Sequence, residues 1–273
     1  MTEEKRGVVV DQTFWNNKYQ THATNWDLGS VSPPIKVYID KIQNKASAIL
    51  IPGCGNAYEA EYLVQQGFTD ITIIDIAPAL VAMLTKKFEN NKNIRVVLGN
   101  FFAHKGKYDV ILEQTFFCAL EPAWRQKYVW KMHQLLSENG ILFGLLFNRS
   151  FEVSPPFGGH LKDYELLFKE SFNFKEIGVA ENSIGNRAHS ELFFEFKKNN
   201  FYKVNLYLIK GITGSEYNTT VIQKLLEIEG LKNASLNTAF SELLVVSKVE
   251  IAVKKLQEMI SDDKKFNIRK ALS

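Results

Sequence analysis

The chain has 273 residues, 45% of them hydrophobic and 23% charged, the balance of a globular protein with room for two domains. A net charge of +3 gives no case for nucleic acid or a membrane surface as partner, and lysines interleaved with acids describe a solvated exterior. Two cysteines, Cys54 and Cys118, cannot build a disulfide framework, and no histidine–cysteine cluster has metal-ligand spacing, so no metal site is expected.

The first seven residues are polar and mixed in charge, and only Val8-Val9-Val10 follows as an apolar run, so a signal-peptide core is not expected. The longest apolar run, 141–147, is far short of the roughly 18 residues a membrane span needs. A soluble, cytoplasmic protein is the expectation. From residue 46 strand and helix patterns alternate. Ala48-Ile49-Leu50-Ile51 ends at Pro52-Gly53 and reads as a buried parallel strand. Helical spacing over 58–66 stops at Gly67. A β-branched run over 70–74 closes on Asp75, a helix covers 80–90, and strands follow at 95–98 and 108–112. A long helix over 124–136, a turn at Ser137-Glu138-Asn139-Gly140 and a strand over 141–147 complete the series. Such alternation predicts a doubly wound α/β domain whose ligands sit at the carboxyl ends of the strands.

Lys197-Lys198-Asn199-Asn200 is a polar break, and the pattern changes after it. Alternation over 204–208, a helix over 220–229, a strand pair at 231–236 and 243–247, and a helix over 249–260 follow in the order β-α-β-β-α, with 266–268 as a closing strand. That order predicts a small α+β, ferredoxin-like domain. The expected division is therefore 1–198 and 201–273.

The chemistry centres on Pro52-Gly53-Cys54-Gly55-Asn56, directly after the first strand. Gly53 and Gly55 let the backbone turn tightly and approach a ligand, and the next helix offers free N–H groups. A dinucleotide loop would carry a third glycine where Tyr58 stands. Asp75, about 20 residues on at the end of the second strand, can accept hydrogen bonds from ribose hydroxyls; capping the helix after Ala77-Pro78 is its structural alternative. Loop and acid together point to an adenosine-containing ligand. They leave a nicotinamide cofactor and S-adenosylmethionine (SAM) both open.

Further segments then enter. Phe14-Trp15, Trp26-Asp27-Leu28-Gly29, the glycine loop, Asp75-Ile76, Gly99-Asn100-Phe101-Phe102, Thr115-Phe116-Phe117-Cys118-Ala119-Leu120-Glu121-Pro122 and Pro155-Pro156-Phe157 occur in this order. Over roughly 13–197 the chain resembles the thiopurine S-methyltransferase-like family, which includes thiol and halide methyltransferases. The resemblance implies a Rossmann-like SAM-dependent methyltransferase with S-adenosylhomocysteine as product. Gly53 and Gly55 would pass the methionine part of SAM, Asp75 would hold the ribose, and Asn100 and Phe101 would flank the adenine, with Asn100 standing where the family usually has Asp. Glu113 and Gln114 would border the cofactor. Trp15, Tyr19 and Trp26 match aromatic positions that cover it, Tyr19 replacing a more usual Trp. Arg125 and Arg187 match substrate-side arginines that would favour a thiolate; surface salt bridges are the alternative. Pro155-Pro156-Phe157-Gly158-Gly159 looks like a mobile substrate lid hinged by its glycines. The acceptor implied is a small soft nucleophile: a thiol, thiopurine, sulfide or halide. The competing readings are a nicotinamide-dependent oxidoreductase and a non-catalytic SAM-binding interaction protein.

Residues 203–260 resemble the heavy-metal-associated domain through Gly211-Ile212-Thr213 and Glu229-Gly230-Leu231, but Gly214 and Tyr217 occupy the positions of its metal-binding cysteines. The resemblance implies a metal-free domain used for packing, homodimerisation or protein contact.

Overall fold

In a computed structural model the structure describes residues 10–212, 215–260 and 266–271. A seven-stranded sheet forms the larger unit. Its strands are β1 (Ala48–Pro52), β2 (Asp70–Asp75), β3 (Ile94–Leu98), β4 (Tyr108–Gln114), β5 (Leu136–Phe147), β6 (Phe172–Val179) and β7 (Glu191–Lys198), in the spatial order β3-β2-β1-β4-β5-β7-β6. β1 pairs in parallel with both β2 and β4. Buried on both faces, it must be apolar throughout, which is why it reads as a continuous run. The chain order reverses between β1 and β4, so the loops leaving these two strands open a crevice at their carboxyl ends.

The sheet departs from the sequence expectation at its far side. β7 runs antiparallel to both β5 and β6, so two strands from 172–198, to which the sequence pattern assigns no element, complete it. Their signal is aromatic rather than β-branched: Phe174 stacks on Phe196 at 4.3 Å, and Phe194 lies 4.6 Å from Phe196. The expected turn at 137–140 is instead the irregular start of β5, with Asn139 at φ +62° absorbing the distortion.

Helices α1 (Gln12–Gln20), α2 (Pro33–Lys41), α3 (Tyr58–Gln65), α4 (Pro78–Lys87), α5 (Arg125–Leu135) and α6 (Leu161–Phe168) belong to this unit. After it come β8 (Lys203–Lys210), α7 (Ser215–Leu226), β9 (Leu231–Leu236), β10 (Glu242–Ser247), α8 (Val253–Ile260) and β11 (Asn267–Lys270). These strands form a second sheet, β11-β8-β10-β9, in which each pair is antiparallel.

Period-2 alternation divides the second sheet between two cores. Tyr207, Ile209, Leu243 and Val245 pack with Val221 and Leu225 of α7 and Leu256 and Ile260 of α8. Val204, Leu206, Leu244 and Val246 point the other way and join the buried cluster that contains Val129, Met132 and Leu135 of α5. α5 is thus enclosed between the two sheets, and even Lys131 and His133 on it are buried. Polar bonds seal the junction. Gln126 Nε2 donates to Ser235 Oγ (2.8 Å) and Leu236 O (3.0 Å), Gln134 Nε2 to Val204 O (3.0 Å), and Asn237 Nδ2 to Ala123 O (3.1 Å). Gly214 lies outside the described residues, as does the side chain of Tyr217. Among the described residues no helix is long and apolar enough to cross a membrane.

Candidate active site

The loop after β1 carries the first wall. Gly53 sits at φ +57° and its N–H donates to Ile74 O at 2.8 Å, tying the loop to β2. A Cβ on Gly53 would lie 2.4 Å from the Phe116 ring, and one on Gly55, at φ +52°, would stand 3.8 Å from the Tyr19 hydroxyl. Glycine is required here by backbone conformation and, at Gly53, by close approach as well. Cys54 between them is buried, and burial raises its thiol pKa well above the ordinary value, which removes it as a nucleophile.

Asp75 ends β2 beside this loop. Its Oδ1 accepts from Ala77 N–H at 2.9 Å, a local turn rather than a helix cap, since the N-cap of α4 is Ala77 itself. Burial pushes its carboxyl up to about 6, while the N–H groups of Ala77, Ile76 and Gly55 oppose the rise. A desolvated carboxylate with spare acceptor capacity gains from hydroxyl donors.

The N-terminal segment closes over the loop. Asp11 caps α1 by accepting Phe14 N–H at 2.9 Å. The helix is fastened to the β2–α4 region by Gln12 Nε2 on Ile76 O (3.0 Å) and by Asn16 Oδ1, which accepts Ala79 N–H (2.7 Å). Trp15 and Tyr19 meet Trp26 edge to face, at 5.5 and 5.9 Å between centroids. Sequence reasoning gave no role to the side chain next door: Asp27 accepts from Gly29 N–H, Asn56 Nδ2 and the Tyr58 hydroxyl, and so stitches the aromatic segment to the glycine loop. Arg187 is nearly buried, paired with Glu191 at 3.3 Å and donating to Trp26 O. The structure therefore commits its guanidinium to holding the aromatic segment.

The third wall follows β3 and β4. Asn100 Oδ1 accepts Phe102 N–H at 2.9 Å and starts a 3-10 turn, Phe101–Ala103. Phe101 is buried against Phe116, 5.1 Å away. Glu113 is fully buried. Its Oε1 accepts from the N–H groups of Phe116 and Phe117 (2.8 Å each) and its Oε2 from the Tyr128 hydroxyl (2.5 Å). Burial pushes it up to about 7, against those three donors. Its carboxylate holds the loop after β4 with both oxygens engaged, whereas among the described residues the buried Oε1 of neighbouring Gln114 has no partner. Thr115, at φ +58°, is a β-branched residue in left-handed backbone, the strain expected where a loop is held for function. It opens the 115–122 segment of the family pattern, but nothing in that segment marks its backbone conformation.

Arg125 begins α5 on the far side of this loop. It stands 5.0 Å over the Phe117 ring and donates from Nη2 to Gly158 O at 2.6 Å. It thereby joins the β4–α5 connection to the segment expected to be a lid, which is also fastened by Phe157 N–H on Cys118 O (2.6 Å). The glycines of that segment serve close packing. A Cβ on Gly158 would meet Arg149 O at 1.9 Å, and one on Gly159 the Tyr164 hydroxyl at 2.4 Å.

This arrangement has known counterparts. The thiopurine S-methyltransferase family model matches residues 10–204. The chain belongs to that family. It is 29% identical over 202 residues to a probable thiol methyltransferase 2 of Arabidopsis thaliana, covering 70% of this chain and 88% of the relative. It is 24% identical over 201 residues to thiocyanate methyltransferase 1 of Brassica oleracea, covering 70% and 88%. Among solved structures it is similar to the Burkholderia thailandensis 1,6-didemethyltoxoflavin-N1-methyltransferase with bound 1,6-didemethyltoxoflavin and S-adenosylhomocysteine. The TM-score is 0.57 at 15% identity, over 69% of this chain and 87% of that one. Family membership makes the protein a methyltransferase with SAM as its methyl donor and removes the oxidoreductase reading. The residues at the β1–β4 crevice suit that donor: a glycine cradle that a side chain would fill, a buried acid, aromatic faces for a sulfonium, and an unpartnered amide oxygen on Gln114.

Proposed function

We propose that this protein transfers the methyl group of SAM to a small soft nucleophile, a thiol, thiopurine, sulfide or halide. The observation that carries the reading is the convergence of Gly53, Gly55, Asp75 and the Trp15–Tyr19–Trp26 cluster on one crevice, in a chain of the thiopurine S-methyltransferase family. Gly53 and Gly55 pass the methionine part, Asp75 accepts the ribose hydroxyls, and Asn100 with Phe101 borders the adenine. Gln114 offers its free oxygen, and the aromatics exclude water. When bound, SAM supplies an electrophilic methyl group on a positively charged sulfur. The chain contributes alignment of the incoming nucleophile with that group. Neither cysteine is suited to attack, because burial raises both thiols. Arg125 lies nearest the acceptor side and favours an anionic nucleophile there. Arg187 acts at one remove, by fixing Trp26.

We read the C-terminal unit as a ferredoxin-like domain of the heavy-metal-associated type without metal. The β-α-β-β-α-β order and the sheet order β11-β8-β10-β9 support this. One of its sheet faces is spent on α5, so homodimerisation or protein contact falls to its helical side.

Calorimetric titration with SAM and S-adenosylhomocysteine, with NADH as control, tests the reading. Micromolar binding of both adenosyl ligands, weakened at least about tenfold by Asp75→Ala, together with turnover on a panel of thiols and halides, is expected. A folded chain that binds neither ligand refutes it, and binding without turnover on the panel moves the interaction-protein reading to the front.

A further inference from the structure

A cavity of about 210 Å³ lies between the two units, floored by Arg125, Gln126 and Asp163 and walled by Leu236, Asn237 and Thr238 of the β9–β10 turn. The turn belongs to the part of the chain beyond the family match, which ends at residue 204. Its volume is below the roughly 300–1,000 Å³ of pockets for drug-sized ligands and suits a molecule of amino-acid scale.

The lining carries unspent polar capacity of both kinds. Among the described residues, Arg125 Nε and Gln126 Oε1 are each buried without a hydrogen-bond partner, one a donor and the other an acceptor. A buried polar atom left unpaired costs free energy comparable to a lost hydrogen bond, so both side chains gain from any rearrangement that gives them a partner. The charges are also divided. Asp163 faces Arg125 closely enough to act on it electrostatically, yet among the described residues no ion pair joins them. Among the described residues, Asp163 accepts only His160 N–H, at 3.3 Å, and Arg125 is occupied at Nη2 by Gly158 O. Lys127 and Glu242, the nearby charges of the junction, already pair with each other at 3.8 Å.

We infer that this inter-unit cavity binds a small zwitterion of the α-amino-acid class, its carboxylate on the Arg125 guanidinium and its ammonium on Asp163. A compound of this class bridges two opposite charges that the fold holds apart in one pocket. The β9–β10 turn closes the pocket through Asn237, which is hydrogen-bonded to Ala123 O just ahead of Arg125. The inference holds whatever the methyl acceptor is.

The test is titration of the full chain with L-cysteine, L-serine and L-asparagine against cysteamine and N-acetyl-L-cysteine, which each lack one charge. It is run with and without saturating S-adenosylhomocysteine, so that occupation of a donor site by an amino acid is recognised. At least one amino acid should bind about tenfold or more tightly than either single-charge analogue, without competition from S-adenosylhomocysteine. Asp163→Asn keeps the acceptor for His160, and Thr238→Trp fills the cavity from an exposed turn. Each should weaken binding at least about tenfold with an unchanged unfolding transition. Absence of binding by the folded chain overturns the inference, as do equal affinity for the single-charge analogues, displacement by S-adenosylhomocysteine, or insensitivity to both variants.

Discussion

At the scale of single residues, two positions in the crevice are set by physics that can be measured. Gly53 combines left-handed backbone with an aromatic ring where a side chain would start. Gly53→Ala therefore costs about 1–3 kcal/mol in backbone strain and displaces Phe116. Urea unfolding should show the loss and calorimetry a weakened SAM affinity, and an alanine variant with wild-type stability and binding contradicts this account. Asp75 gives a pH signature. Its folded pKa is raised to about 6, so the free protein takes up a proton as pH falls through that value. On the proposed reading, ribose hydroxyls bound at Asp75 would favour the ionised carboxylate. Affinity for S-adenosylhomocysteine should therefore be full above pH 6 and fall by up to about tenfold per unit below it; Asp75→Asn should bind weakly with no such slope.

At the scale of elements, the β4–α5 connection is held from beneath by Glu113, which secures two backbone N–H groups and the Tyr128 hydroxyl. Its pKa is raised to about 7 in the fold, above its unfolded value. The ionised form thus costs stability above pH 7, and the cost is relieved as pH falls from about 7 towards the unfolded value. Relative to Glu113→Gln, which does not titrate, the wild-type chain should gain on the order of 2–3 kcal/mol between about pH 8 and about pH 5. Unfolding free energies of both proteins at the two pH values check this, and a constant difference would show that Glu113 is not desolvated. The aromatic segment is secured differently. Asp27, Asn16 and Arg187 fasten it at three points, none of them visible as a helix pattern.

At the scale of the whole molecule, α5 is shared property. Leu206, Leu244 and Val246 of the second sheet bury its outer face. At about 1.5–3 kcal/mol for each fully buried aliphatic side chain, their loss is of the same order as the roughly 5–15 kcal/mol that stabilises a whole domain. A chain ending at residue 204 should therefore unfold at lower temperature and associate through its exposed α5 face, as read by calorimetry and gel filtration. Equal stability of the shortened and full chains would mean that the second unit is merely appended.

The amino-acid sequence determined by itself the parallel half of the main sheet, because strands buried on both faces must be continuous apolar runs: β1, β2 and β4 were legible for that reason. It also determined the glycine loop and the acid at the end of β2, since backbone conformation and charge at a strand end are local matters. β6 and β7 were not legible, because an antiparallel edge built from phenylalanines carries no strict apolar alternation. The inclusion of 137–140 in β5 was hidden by residues that ordinarily make turns and that bulge between the paired Leu136 and Ile141. Only the tertiary structure decided that Arg187 serves Trp26, that the glycines at 158 and 159 pack rather than hinge, and that α5 carries two sheets. Each of these depends on which side chains meet across large sequence separation, and local pattern holds no record of that.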